Sequence, residues 1–61
     1  MHENFQEKLY YVAHDAVEDG GRVVTKRLSR NFFERANAVM AYEQLKSEQP
    51  RAYVVEAVRF L

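Results

Sequence analysis

The residues best suited to chemistry in this chain are a histidine beside an aspartate and a few hydroxyl groups. His14 directly precedes Asp15, inside a stretch rich in aromatic and β-branched residues that predicts a strand. Adjacent side chains in a strand point to opposite faces, so the two residues do not form a catalytic pair. No serine or threonine has a histidine at helical spacing or a glycine elbow. We therefore expect no catalytic residues and no enzymatic activity.

The only two glycines, Gly20 and Gly21, stand side by side after Glu18 and Asp19. Those two carboxylates would repel a phosphate, so the pair is interpreted as a hairpin turn and not as a phosphate-binding loop. The chain has no cysteine and two histidines. Two histidines form a structural zinc site only with several converging carboxylates. No cofactor and no metal site are expected.

Five basic residues cluster in a segment of 14 residues whose only acid is Glu34. They form the candidate basic stripe: Arg22, Lys26, Arg27, Arg30 and Arg35. Such a stripe can contact an acidic protein surface or nucleic-acid phosphates, or it can be a solvated edge strand whose charges oppose aggregation. Nine basic residues balance nine acidic ones in the chain as a whole, which argues against a general attraction to nucleic acid.

These residues sit on a pattern of three strands and one helix, which predicts a single domain over 1–61. Strands are expected near 8–17, 22–29 and 52–60 and a helix near 32–48, with residues 1–6 frayed. The helix is expected to begin at an Asn31 cap supported by Glu34 and to stop before Pro50. The predicted fold is α+β, a small ββαβ domain with a three-stranded antiparallel sheet in the order 2-1-3 and one helix packed on one face.

Turn placement sets the register of the predicted hairpin. With Gly20 and Gly21 as the two central turn residues, the opposite pairs are Val17–Val24, Asp15–Lys26 and Ala13–Leu28. Two apolar pairs and one pair of opposite charge favour this register over one centred on Asp19 and Gly20.

The predicted helix carries two apolar stripes, and the strands carry apolar residues on both faces. One stripe holds Phe32, Phe33, Ala36, Val39 and Met40, and the other holds Ala38, Ala41, Tyr42 and Leu45. We expect the first stripe to begin the core. One helix covers only one face of a small sheet, so apolar surface is left over for a partner. The candidate self-association residues are Tyr10, Val12, Val39, Met40, Val54, Val58 and Phe60.

A domain of 61 residues without disulfides has a small hydrophobic core and little stability of its own. Such domains usually gain the missing stability by oligomerisation. No apolar run reaches the ~20 residues of a membrane span, so a soluble, cytoplasmic protein with no membrane partner is expected. The spacing Phe33…Ala38…Ala41…Leu45…Tyr53-Val54-Val55 resembles the helix–strand half of sporulation-related repeat domains, which bind peptidoglycan glycan. It covers about a third of the chain, and the second βα half of that fold has no counterpart.

The sequence thus predicts a small non-enzymatic protein-interaction module that self-associates as a homodimer. Small ββαβ proteins of this size are also frequent among phage and prophage accessory proteins, which often inhibit a host protein; that analogy concerns fold and size alone. The alternative function is nucleic-acid binding through the basic stripe.

Overall fold

The computed structural model describes residues 5–60 as three strands and one helix. The elements are β1 (Gln6–Val17), a single 3-10 turn (Asp19–Gly21), β2 (Val23–Arg27), α1 (Arg35–Leu45) and β3 (Tyr53–Phe60). Residues 1–4, part of the segment expected to fray, lie outside the described residues. Gln6, also in that segment, already belongs to β1.

The three strands form one antiparallel sheet in the order β2-β1-β3, which confirms the predicted fold. β1 takes the central position, and its twelve residues pair with β2 at one end and with β3 along most of its length. The central strand contributes the buried Leu9, Val12 and Ala13, whereas β2 is short and ends in two basic residues, as suits an exposed edge.

The predicted register of the hairpin is wrong by one residue. Val17 lies opposite Val23, and Asp15 lies opposite Thr25. The reason is the loop length: the Glu18 amide donates to the Arg22 carbonyl at 2.7 Å, which encloses a loop of three residues instead of two. Both loop glycines have positive φ, 86° and 82°.

A shift of one residue moves β2 side chains to the opposite face of the sheet. Val24 therefore lies opposite Ala16, on the face that carries Val12, and the Leu28 amide bonds the Val12 carbonyl at 2.8 Å. Val23 moves to the other face. Val23 and Val24 thus each lie on the face of the sheet opposite to the predicted one.

The helix packs on the face of the sheet that carries Val12. Val12 and the helical Ala38 are both completely buried, and Val54 from the same sheet face lines a cleft with the helical Val39 and Tyr42. We name this the helix face and the opposite one the open face. The open face carries alternate residues of β1, including Leu9, which is buried, and Asp15, which is exposed.

The expected orientation of the helix is wrong. Phe33 and Met40 are 67% and 61% exposed, whereas the stripe headed by the buried Ala38 faces the sheet. The cause lies before the helix, where Phe32 exchanges two backbone hydrogen bonds with Tyr10, at 2.7 and 2.8 Å. Phe32 is consequently part of a β-bridge and neither phenylalanine is helical, and the small Ala38 permits close approach of the helix to the sheet.

The helix ends also differ from the prediction. Residue Glu34 occupies the N-cap position with extended backbone and no capping hydrogen bond from its side chain. The Asn31 side chain instead accepts a hydrogen bond from Arg27. Beyond Leu45 two more helical hydrogen bonds form, from the Lys46 amide to the Tyr42 carbonyl at 2.9 Å and from the Gln49 amide to the Leu45 carbonyl at 2.8 Å, the latter immediately before Pro50. Proline follows the last residue that donates such a bond.

The folded chain is thin and open for its size. Its radius of gyration is 14.1 Å, against about 10.5 Å for a compact domain of this length. Its extents are 48 × 30 × 12 Å, with β1 long enough to account for most of the longest dimension. Among residues 5–60, the buried apolar residues are Leu9, Val12, Ala13, Ala38 and Ala52. Three of these five are alanines, so the core contains few large side chains.

Candidate interaction site

His14 and Asp15 face opposite sides of β1, and the aspartate serves as a hydrogen-bond acceptor on the open face. Its carboxylate accepts the Tyr53 hydroxyl at 2.5 Å and the Thr25 hydroxyl at 3.1 Å. These bonds, the one from Tyr53 first, lower the pKa of Asp15 below its ordinary value. The same contact raises the pKa of Tyr53, because the hydrogen bond to the carboxylate stabilises the protonated hydroxyl. The cluster joins side chains of all three strands and contains no nucleophile activated by a base.

Sequence reasoning missed this cluster, although its signal was present. The predicted strand order already placed β1 between the other two strands. With Ala13 opposite Tyr53 and Asp15 opposite Thr25, the carboxylate lies diagonally across from the tyrosine. Diagonal neighbours are within reach of long side chains, so the correct register would have found all three residues.

The basic residues do not share one surface in the structure. Arg22 and Lys26 pair with Glu18 at 3.2 and 3.5 Å. The guanidinium of Arg27 lies 3.9 Å from the centre of the Tyr11 ring, which is on the open face, whereas Lys26 is on the helix face.

Arg30 and Arg35 lie near the helix. Arg30 is stacked over the Phe32 ring at 4.9 Å, and Arg35 lines the cleft between α1 and β3. The candidate basic stripe is therefore divided between two faces of the sheet and two sides of the helix, and part of its charge is balanced by Glu18.

The cleft between α1 and the start of β3 is open and about 370 Å³ in volume. Its apolar lining comes from Val39 and Tyr42 on the helix and from Ala52 and Val54 next to or within β3. Val54 and Val39 are only half-buried. Within residues 5–60, no group of three or more His, Cys, Asp or Glu side chains could hold a metal ion.

The candidate self-association residues separate into three groups. Val12 is completely buried under the helix, so it is not available to a partner while the helix stays in place. Met40 is 61% exposed and lines a second concavity together with Phe32, and Tyr10 is half-buried in the bridge to Phe32. The remaining four lie along one side of the molecule: Val39 and Val54 in the cleft, and Val58 and Phe60 further along β3.

β3 presents an unpaired edge next to this side. It is an outer strand of the sheet, and no strand among residues 5–60 pairs with its far edge. Its side chains at Val58 and Phe60 are 48% and 69% exposed. Unpaired backbone beside exposed apolar side chains is the usual condition for pairing with another chain.

Comparison with known proteins gives no match to a family model, including sporulation-related repeats, to a curated protein or to a solved structure. No helix in the described part of the chain is long and apolar enough to cross a membrane.

Proposed function

We propose that this protein is a non-enzymatic protein-interaction module that self-associates as a homodimer. The observation that carries the proposal is its surface area. The chain exposes 4972 Å², against about 4,100 Å² for a compact monomer of 7.2 kDa. The excess of about 850 Å² is close to the ~800 Å² that each partner buries in a standard protein interface.

The small core supports the same proposal. Val12 is the largest completely buried side chain among the described residues. The buried apolar residues of that part of the chain are one leucine, one valine and three alanines. Such a core contributes little hydrophobic stabilisation, since each large apolar side chain contributes about 1.5–3 kcal/mol when fully buried. A partner that covers the exposed apolar residues of β3 adds the burial that the single chain lacks.

A protein surface suits the exposed residues better than nucleic acid. Binding to phosphates needs several cations on one surface, and here Arg22 and Lys26 share one carboxylate while Arg27 lies over an aromatic ring. A gel shift with short DNA and RNA at low salt is expected to show no retardation. Retardation that weakens steeply with added salt would support the nucleic-acid alternative instead.

Sedimentation velocity over a range of protein concentrations tests self-association. We expect the weight-average mass to rise with concentration from that of the 7.2 kDa chain to twice that value. Thermal unfolding should show a matching rise in midpoint, because dimerisation stabilises only the folded state. A strictly monomeric species at ~100 μM, a concentration at which even weak interfaces are populated, would refute the proposal.

A further inference from the structure

We propose that two copies pair along the outer edges of β3, antiparallel about a two-fold axis at Ala57, and that Phe60 of each copy enters the cleft of the other. This inference rests on the proposed homodimer and specifies its interface. The result is a continuous six-stranded sheet with both helices on one face.

The β3 edge lacks the features that protect natural edge strands. It runs for eight residues, Tyr53–Phe60, without proline or glycine. Its two charged residues are already engaged with the central strand: Glu56 pairs with Lys8 at 3.5 Å, and Arg59 pairs with Glu7. These charges are therefore directed back toward β1 and leave the edge itself open.

The hydrogen bonds of β1 show which residues of β3 direct their backbone N–H and C=O groups away from the sheet. Tyr10 and Val12 direct their backbone groups toward the β2 side, where they bond Phe32 and Leu28. Successive residues of an antiparallel strand direct their backbone N–H and C=O groups to alternate sides. Leu9, Tyr11 and the other odd-numbered residues of β1 therefore bond β3 instead. On β3 the residues that bond inward are those opposite Leu9 and Tyr11, and the residues between them point their backbone groups outward.

Those outward residues are Val54, Glu56, Val58 and Phe60, and their side chains lie on the helix face. An added antiparallel strand must form its hydrogen-bonded pairs with these positions. Because a two-fold axis pairs the strand with itself, only a few registers satisfy the condition, and the side chains distinguish them.

One register places Glu56 opposite Glu56 of the second copy, and like charges directly opposite are destabilising. Another places Val58 on the axis, so that Phe60 meets Glu56 and the cleft stays empty. In the register with Ala57 on the axis, Val58 lies opposite Glu56, and Phe60 lies opposite Val54. Only the last of these brings the exposed aromatic ring to the apolar start of the strand.

The cleft is placed to receive that ring. Directly opposite residues of an antiparallel pair project to the same face of the sheet, so Phe60 of the second copy projects beside Val54. Val54 lines the cleft together with Val39 and Tyr42 from the helix. Phe60 is 69% exposed in the single chain, so its ring is available to pack against this apolar lining.

Cysteine cross-linking tests the register directly, because the natural sequence has no cysteine. Ala57 and its symmetry mate form a non-hydrogen-bonded pair with Cα atoms about 4.5 Å apart. That separation lies within the range of a disulfide. Val55 is the matched control, since its two copies lie four residues apart along the strands, about 13 Å. Glu56→Cys and Val58→Cys report the registers that place those residues on the axis.

We expect Ala57→Cys to form a disulfide-linked dimer under mild oxidation at least about tenfold faster than Val55→Cys, with far-ultraviolet circular dichroism unchanged. Faster cross-linking of Glu56→Cys or Val58→Cys would overturn the register. Sedimentation of the unmodified chain separates the remaining outcomes. If that chain dimerises and none of the four variants cross-links, the edge pairing is wrong and the homodimer stands. If the unmodified chain is monomeric, both proposals fail.

Discussion

Removal of the Phe60 ring is the perturbation that most directly measures the proposed interface. Full burial of a phenylalanine is worth about 1.5–3 kcal/mol, and 69% of this residue is exposed in the single chain. Each ring that enters a cleft thus contributes about 1–2 kcal/mol, and a symmetric dimer contains two of them. Phe60→Ala should therefore weaken dimerisation by about 2–4 kcal/mol, a thirtyfold to nearly thousandfold rise in Kd.

Phe33→Ala is the matched control, because Phe33 is 67% exposed and lies before the helix, away from the β3 edge. It removes the same ring from a comparably exposed site, so its Kd should change less than about threefold. Sedimentation equilibrium of both variants provides the measurement. Equal effects of the two substitutions, or an unchanged Kd for Phe60→Ala, would contradict the reasoning.

Three further predictions concern the fold itself. Tyr53→Phe should raise the pKa of Asp15 toward its ordinary value, as followed by NMR titration. Because the folded-state pKa of Asp15 is lowered, the Tyr53–Asp15 hydrogen bond stabilises the fold above the unfolded pKa, and this stabilisation is lost as pH falls through the folded pKa. The variant should lack this loss of stability at acid pH. Gly20→Ala should destabilise the chain by about 1–2 kcal/mol in urea unfolding, since φ is 86° there. Ala38→Leu should overpack the buried helix contact and cost about 1–3 kcal/mol, whereas Ala36→Leu on the exposed side should cost almost nothing.

The strand order was predictable because it depends on the residue composition of each strand, which is the same in any register of the hairpin. The apolar content of β1 and the charges of β2 indicate that β1 is central and β2 is an edge, and β3 then takes the edge on the other side of β1. Loop length was not predictable in the same way. Two adjacent glycines fit a turn of two residues, and they also fit a turn of three in which Asp19 takes part.

The orientation of the helix depended on a contact that is invisible in helical periodicity. Once Phe32 pairs with Tyr10 through its backbone, the helix cannot include the phenylalanines, and the stripe that begins with them loses its largest members. The same missing contact limited what could be predicted about the candidate self-association residues. Val58 and Phe60 were identifiable as surplus apolar residues of β3, whereas their relation to the Val54 cleft required the helix in place.

The distribution of polar side chains explains why the proposed dimer uses an edge and not the open face. On the open face, Asp15 is satisfied by two hydroxyls, and Glu7 is paired with Arg59. Packing another sheet there would remove these groups from water, and burial of ion pairs is costly even when the pair remains intact. Pairing along β3 leaves them solvated while it satisfies outward amides and carbonyls that otherwise bond only to water. An interface at the edge therefore gains hydrogen bonds and apolar burial without desolvating the charged pairs of the open face.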